Sequence, residues 1–69
     1  MESNMAKILA KDMVYGRWYH AYGMNAVCLG PMHNGKHMLV GIDGDTDLQS
    51  TEGWPLDKEV EEIEDPYKK

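Results

Sequence analysis

The sequence predicts a mainly β fold in one small domain, 1–69, and three observations carry that expectation. The stretch "NAVCLGPMHNGKHMLVGID" sets Asn34-Gly35 between two apolar runs. That dipeptide suits a type I′ hairpin turn, whose two central residues both need positive φ. The stretch "RWYHAY" alternates, placing Trp18, His20 and Tyr22 on one face and Arg17, Tyr19 and Ala21 on the other. Upstream, Ile8, Leu9, Met13, Val14 and Tyr15 are compatible with a strand, although "MAKILAKDM" also suits a short helical turn.

The central hairpin is the clearest element. A two-residue loop at Asn34-Gly35 pairs Leu29 with Val40, Val27 with Ile42 and Pro31 with Met38, all apolar and on one face. The other face pairs Cys28 with Gly41, Gly30 with Leu39 and Met32 with His37. One apolar face and one mixed face is what a half-buried hairpin requires. Gly16 and Gly23 bracket the aromatic strand as turn or bulge residues would. No repeat or linker divides the chain, and residues 1–5 and 66–69 are expected to fray.

The segment "GWPLDKEVEEIEDP" supports two readings. Leu56, Val60 and Ile63 stand at i, i+4 and i+7, one stripe of a short helix, with Pro55 at a permitted first position and Pro66 as a stop. Alternatively Pro55 to Lys58 form a 3₁₀ turn and "EVEEIE" is a charged edge strand, which sends Val60 and Ile63 to opposite faces. Local physics leans towards the helix.

Gly53, Trp54 and Pro55, followed by Val60 and Ile63 in a V-x-x-I pattern, resemble the closing section of Src-homology-type small β-barrels and their Tudor and chromo-like relatives. The resemblance covers residues 13–64 and implies five short strands curled into a barrel around the Asn34-Gly35 hairpin. The spacing from Pro55 to Val60 is one residue longer than in the proline-ligand-binding domains, and their N-terminal aromatic-aspartate motif is absent. A proline-peptide site is therefore not implied.

Length and charge narrow the function classes. With 69 residues the core is thin, since a chain of this size buries only roughly 60% of its unfolded surface. The single cysteine, Cys28, excludes an intrachain disulfide, and no apolar run approaches the roughly 20 residues that span a bilayer. The N-terminus lacks a signal-peptide pattern, so a cytoplasmic protein with no membrane partner is expected. Residues 1–37 set four cations against Glu2 and Asp12, whereas residues 38–69 set three lysines against ten carboxylates, giving +2 and −7. An acidic half of that density repels phosphate backbones and favours basic protein partners, so no direct nucleic-acid contact is expected.

Asp43, Asp45 and Asp47 alternate as in the first half of a calcium loop. Counting from Asp43, however, Leu48 falls where glycine must bend the chain, and Trp54 falls where a bidentate glutamate must close it. Glu52 stands two positions short. The stretch reads as a hydrated acidic loop, not a metal site. In the hairpin register His33 and His37 diverge, and with His20 and Cys28 they form no zinc or copper pattern. Cys28 lies mid-strand as a small core residue, and Ser3 and Ser50 lack a nucleophile's surroundings. No glycine-rich phosphate loop is present. No catalytic residue, metal or cofactor is assigned, and the protein is expected not to be an enzyme.

The aromatic set is the strongest lead. Tyr15, Trp18, Tyr19, Tyr22 and Trp54 supply most of the large flat surface in a chain without phenylalanine. Trp18 and Trp54 suit the core, while exposed tyrosines suit protein interfaces. In Tudor and chromo-like barrels, aromatics at one end cage a methylated cation, and the resemblance extends that option here, with Asp45 or Glu52 alongside. The expected role is a protein-binding module, acting as an adaptor, accessory subunit or inhibitor. Its expected partner-binding residues are Trp18, Tyr19, Tyr22, Asp43, Asp45, Asp47 and Glu52. A chain this small also suits a phage or mobile-element regulator of a host factor, and an open edge strand would allow a homo-oligomer. The alternative is an acidic nucleic-acid mimic, with Asp57, Glu59, Glu61 and Glu62 standing in for phosphates in a basic groove of the target.

Overall fold

A computed structural model describes residues 7–44 and 47–67. Its strands are β1 (Lys7–Leu9), β2 (Trp18–Ala21), β3 (Met24–Pro31), β4 (His37–Asp43), β5 (Leu48–Pro55) and β6 (Glu59–Ile63). They form one antiparallel sheet in the order β1-β6-β2-β3-β4-β5. That is six strands where five were expected. "AKILAKDM" satisfies both of its local tendencies, with Lys7–Leu9 extended and Ala10–Asp12 a 3₁₀ turn. The sheet is open, because its edge strands β1 and β5 do not pair. Their ends still approach: Lys11 N–H, just after β1, donates to the carbonyl of Leu56, just after β5 (3.0 Å).

The two-residue type I′ turn expected at Asn34-Gly35 forms instead at Tyr22-Gly23. Ala21 pairs with Met24, so Tyr22-Gly23 is a two-residue loop, and both residues have positive φ (55° and 73°). The type I′ geometry therefore sits there. Within the loop of the central hairpin only Gly35 has positive φ (70°). Gly35 N–H donates to the Met32 carbonyl and Met32 N–H to that of His37, so the loop holds four residues, 33–36. Asn34 serves it through its side chain, its Oδ1 accepting from the N–H groups of Lys36 (2.8 Å) and His37 (3.2 Å).

The expected hairpin register holds only near the loop. Pro31 pairs with Met38 and Gly30 with Leu39, but then Cys28 pairs with Val40, Val27 with Gly41 and Ala26 with Ile42. Leu29 is an extra residue, bulged beside Gly30, whose φ of 109° few other residues adopt. One inserted residue flips the rest of the strand. Ala26 and Cys28 are buried with Val40 and Ile42, while Val27 and Leu29 move to the other face.

Of the two readings of residues 56–64, the strand forms and the helix towards which local physics leans does not. β6 is a strand, and an inner one rather than an edge, paired to β1 on one side and β2 on the other. The helical spacing of Val60 and Ile63 loses because both sheet faces carry apolar groups. Val60 enters the core (2% exposed), and Ile63 stands opposite Trp18 on the reverse face. Glu61 lies opposite both Lys7 and His20, a favourable cross-strand setting for a carboxylate.

The inner face packs Tyr19, Ala21, Ala26, Cys28, Met38, Val40, Ile42, Trp54 and Val60 against Ala10 and Met13. On the reverse face, Leu48, Val27 and Leu29 close over the bare Cα of Gly41, and the Met32 sulfur closes over Gly53. Trp18, the other large ring, is covered there by Tyr67, whose ring centroid is 5.5 Å away at 71°. Among the described residues no helix is long and apolar enough to cross a membrane.

Candidate functional site

The alternation of "RWYHAY" holds over Trp18–Ala21 and stops there, so Tyr22 does not share the face of Trp18 as expected. Tyr19 points into the core, 1% exposed, and its hydroxyl accepts from Val14 N–H at 2.9 Å. Burial pushes its phenol pKa up. Trp18 points to the reverse face, where it is 6% exposed beneath Tyr67. Neither ring is on the surface. Tyr22 alone of the three is open, 54% exposed, because it sits in the β2–β3 turn and not in the strand. Its ring meets Trp54 edge to face with centroids 5.8 Å apart, and the Lys58 ammonium lies 4.5 Å from its centroid.

Asp43 and Asp47 lie at the opposite end of β5. Asp43, the last residue of β4, accepts a hydrogen bond from the Tyr67 hydroxyl. Asp47 is exposed, its Oδ1 accepting from Leu48 N–H (2.7 Å) and its carbonyl from Gly44 N–H (2.8 Å). Its carbonyl also lies 3.1 Å from the Tyr67 hydroxyl. Asp45 lies outside the described residues. Glu52 is exposed on β5, across from Val40. The distance from Leu48 to Trp54 along β5 corresponds to about 20 Å of extended chain. The expected site therefore spreads along one strand, with Asp43 and Asp47 at its start, Glu52 within it and Tyr22 at its far end, instead of forming one cluster.

Tyr67 is the residue that sequence reasoning missed. Expected to fray with residues 66–69, it instead caps Trp18 and reaches Asp43, with its own N–H donating to Asp65 Oδ1 (2.8 Å). The hydrogen bond to Asp43, followed by burial and the charge of Asp43, pushes its pKa up to about 12. The available signal was compositional: a tyrosine in a chain short of large apolar residues has reason to find a ring.

The carboxylates expected to mimic phosphates do not share a row. Asp57 and Glu59 are exposed, whereas Glu61 and Glu62 are partly covered and project to opposite faces of β6. Glu62 pairs with Arg17 at 3.4 Å. Beside that pair is an open cleft of about 490 Å³ lined by Arg17, Trp18, Glu62, Ile63, Glu64 and Asp65. Among the described residues, no three His, Cys, Asp or Glu side chains gather as metal ligands do. His20 Nδ1 is occupied by Asn25 (2.8 Å) and His37 Nδ1 by Asn34 (3.1 Å). Cys28 is buried and its thiol pKa is raised by that burial, which leaves little thiolate to react.

Compared with protein-family models, curated proteins and solved structures, the chain matches none of them significantly. Its own surface is therefore the basis for any functional argument. That surface presents a polar strand with carboxylates at one end and an exposed tyrosine at the other.

Proposed function

We propose that the protein is a non-enzymatic binding module, an adaptor, accessory subunit or inhibitor, whose partner is another protein with a basic surface. Tyr22, Asp43, Asp47 and Glu52 are its contact residues, and Trp18 and Tyr19 support the scaffold from behind. The observation that carries this reading is that β5 is exposed from Leu48 to Gly53, with carboxylates at and around that stretch and Tyr22 against its far end. Exposed tyrosine anchors protein interfaces, and carboxylates around it select a cationic partner. The approach of the ends of β1 and β5 also supports a barrel-like curl of the sheet and, with it, the Src-homology-type resemblance.

Nucleic-acid mimicry has weaker support. A phosphate mimic needs carboxylates in a continuous exposed row, whereas Glu61 and Glu62 face opposite sides of an inner strand.

The test compares wild type with Tyr22→Ala and with the double variant Asp47→Lys, Glu52→Lys, each immobilised and washed with native lysate. A protein retained by wild type and lost from both variants, each still folded at the temperature of the assay, supports the reading. Retention that ignores both variants but disappears on Glu59→Lys with Asp57→Lys sinks it in favour of mimicry.

A further inference from the structure

The two edges of the sheet are protected unequally. β1 is three residues long, begins with Lys7, and gives way at once to the 3₁₀ turn Ala10–Asp12. Short length and an edge lysine are common ways to block further strand pairing. β5 has eight residues, six of them exposed, and is the last strand of the sheet. An extra residue, Gln49, interrupts its ladder near the start, between the pairs Ile42–Ser50 and Asp43–Leu48. Pro55 ends it. Between them Ser50, Thr51, Glu52, Gly53 and Trp54 pair regularly with β4 and include no lysine, arginine or proline. Among the described residues, no backbone hydrogen bond joins the outer edge of this stretch to another segment.

The geometry points to strand addition at Ser50–Trp54, with an extended, basic segment of a partner protein as the added strand. Charge complementarity selects that occupant. Asp43, Asp47 and Glu52 surround the edge, and a second copy of the chain would bring the same carboxylates and another net charge of −5. Alternation dictates the pattern of the segment. Ser50 and Glu52 pair with the core residues Ile42 and Val40 and share their face, while Thr51 lies on the reverse face with Gly41. The added strand thus places cationic side chains beside Glu52 on one face and β-branched side chains beside Thr51 on the other. Backbone hydrogen bonds supply affinity, and the alternate side chains supply selectivity.

This inference rests on the protein-binding reading and names how the binding is made. The probe is a capped heptapeptide alternating Lys and Val, titrated into the full chain while backbone amide NMR shifts are followed. Binding with shifts centred on Ser50–Trp54, weakened about tenfold or more when alternate peptide nitrogens are methylated, is the expected result. Of Ser50→Pro and Thr51→Pro, one removes an outward N–H and the other an N–H donated to β4. The variant that keeps the wild-type melting temperature is expected to lose the peptide. If the methylated peptide binds as tightly as its parent, strand addition is overturned while an acidic docking surface stands. If a Glu-Val heptapeptide binds as well as Lys-Val, both readings fall. Concentration-dependent dimerisation of the free chain, with Ser50 and Thr51 amides protected, replaces the partner strand with a second copy and overturns the proposal.

Discussion

Tyr22 and Trp54 meet edge to face, ring centroids 5.8 Å apart and planes at 63°, although one belongs to the β2–β3 turn and the other to the far edge of the sheet. The contact links distant parts of the chain, and it holds Tyr22 at a φ of 55°, where a bulky residue is strained.

Strain and contact act in opposite directions at Tyr22, which makes their sizes separable. Tyr22→Ala keeps the left-handed backbone and loses the ring, at an expected cost of about 1 kcal/mol from the aromatic pair and a similar amount from Lys58. Tyr22→Gly loses the same contacts but relieves the backbone, so it is expected to be more stable than Tyr22→Ala by roughly 1 kcal/mol. Urea unfolding of the two variants measures the difference, and a glycine variant less stable than the alanine one would refute the strained-turn account.

Trp54 is 1% exposed, and its indole Nε1 is buried with no hydrogen-bond partner among the described residues. Trp54→Ala opens a large cavity and is expected to cost about 3–5 kcal/mol, enough to unfold a domain this small. Trp54→Phe sheds the unpaired donor together with part of the ring, so its expected cost is under about 2 kcal/mol. Thermal melts followed by far-UV circular dichroism distinguish the two. Equal losses would mean that the N–H has a partner in solution.

Gly30 sets the register of β3. A Cβ there meets no atom within 4 Å, so any penalty for Gly30→Ala arises from its φ of 109° alone. The expected destabilisation is about 1–2 kcal/mol. Deleting Leu29 removes the bulge while leaving Cys28 opposite Val40 and Ala26 opposite Ile42, so both faces of β3 are kept. That variant is expected to keep a cooperative melt, and loss of a sharp transition would contradict the register described.

Tyr67 is expected to titrate late. Its pKa is raised from 10.0 to about 12, chiefly by the hydrogen bond it donates to Asp43. A folded value above the unfolded one means that the protonated phenol favours the native state. The contribution is complete below pH 10 and lost as pH rises through about 12. Phenolate absorbance of wild type minus Tyr67→Phe is expected to show this late step, and Asp43→Asn to shift it back towards 10. A difference curve centred near 10 in wild type would exclude the Tyr67–Asp43 bond.

The residues themselves determined the β class, the aromatic strand at Trp18–Ala21 and the core placement of Cys28, and they made Trp54 a core candidate. Alternation and turn chemistry are local, so each of these could be read from a window of a few residues. Tertiary structure decided the remainder. "EVEEIE" became an inner strand because β1 and β2 flank it and both faces of the sheet accept apolar side chains, a circumstance that no helical spacing within the segment reveals. A single bulged residue, Leu29, exchanged the faces of β3, and a residue treated as tail, Tyr67, closed over Trp18. The candidate surface was legible as to residue type but not as to arrangement. Composition pointed to carboxylates and tyrosine, but only the strand order left β5 unpaired between them, because which edge stays open depends on every pairing in the sheet at once.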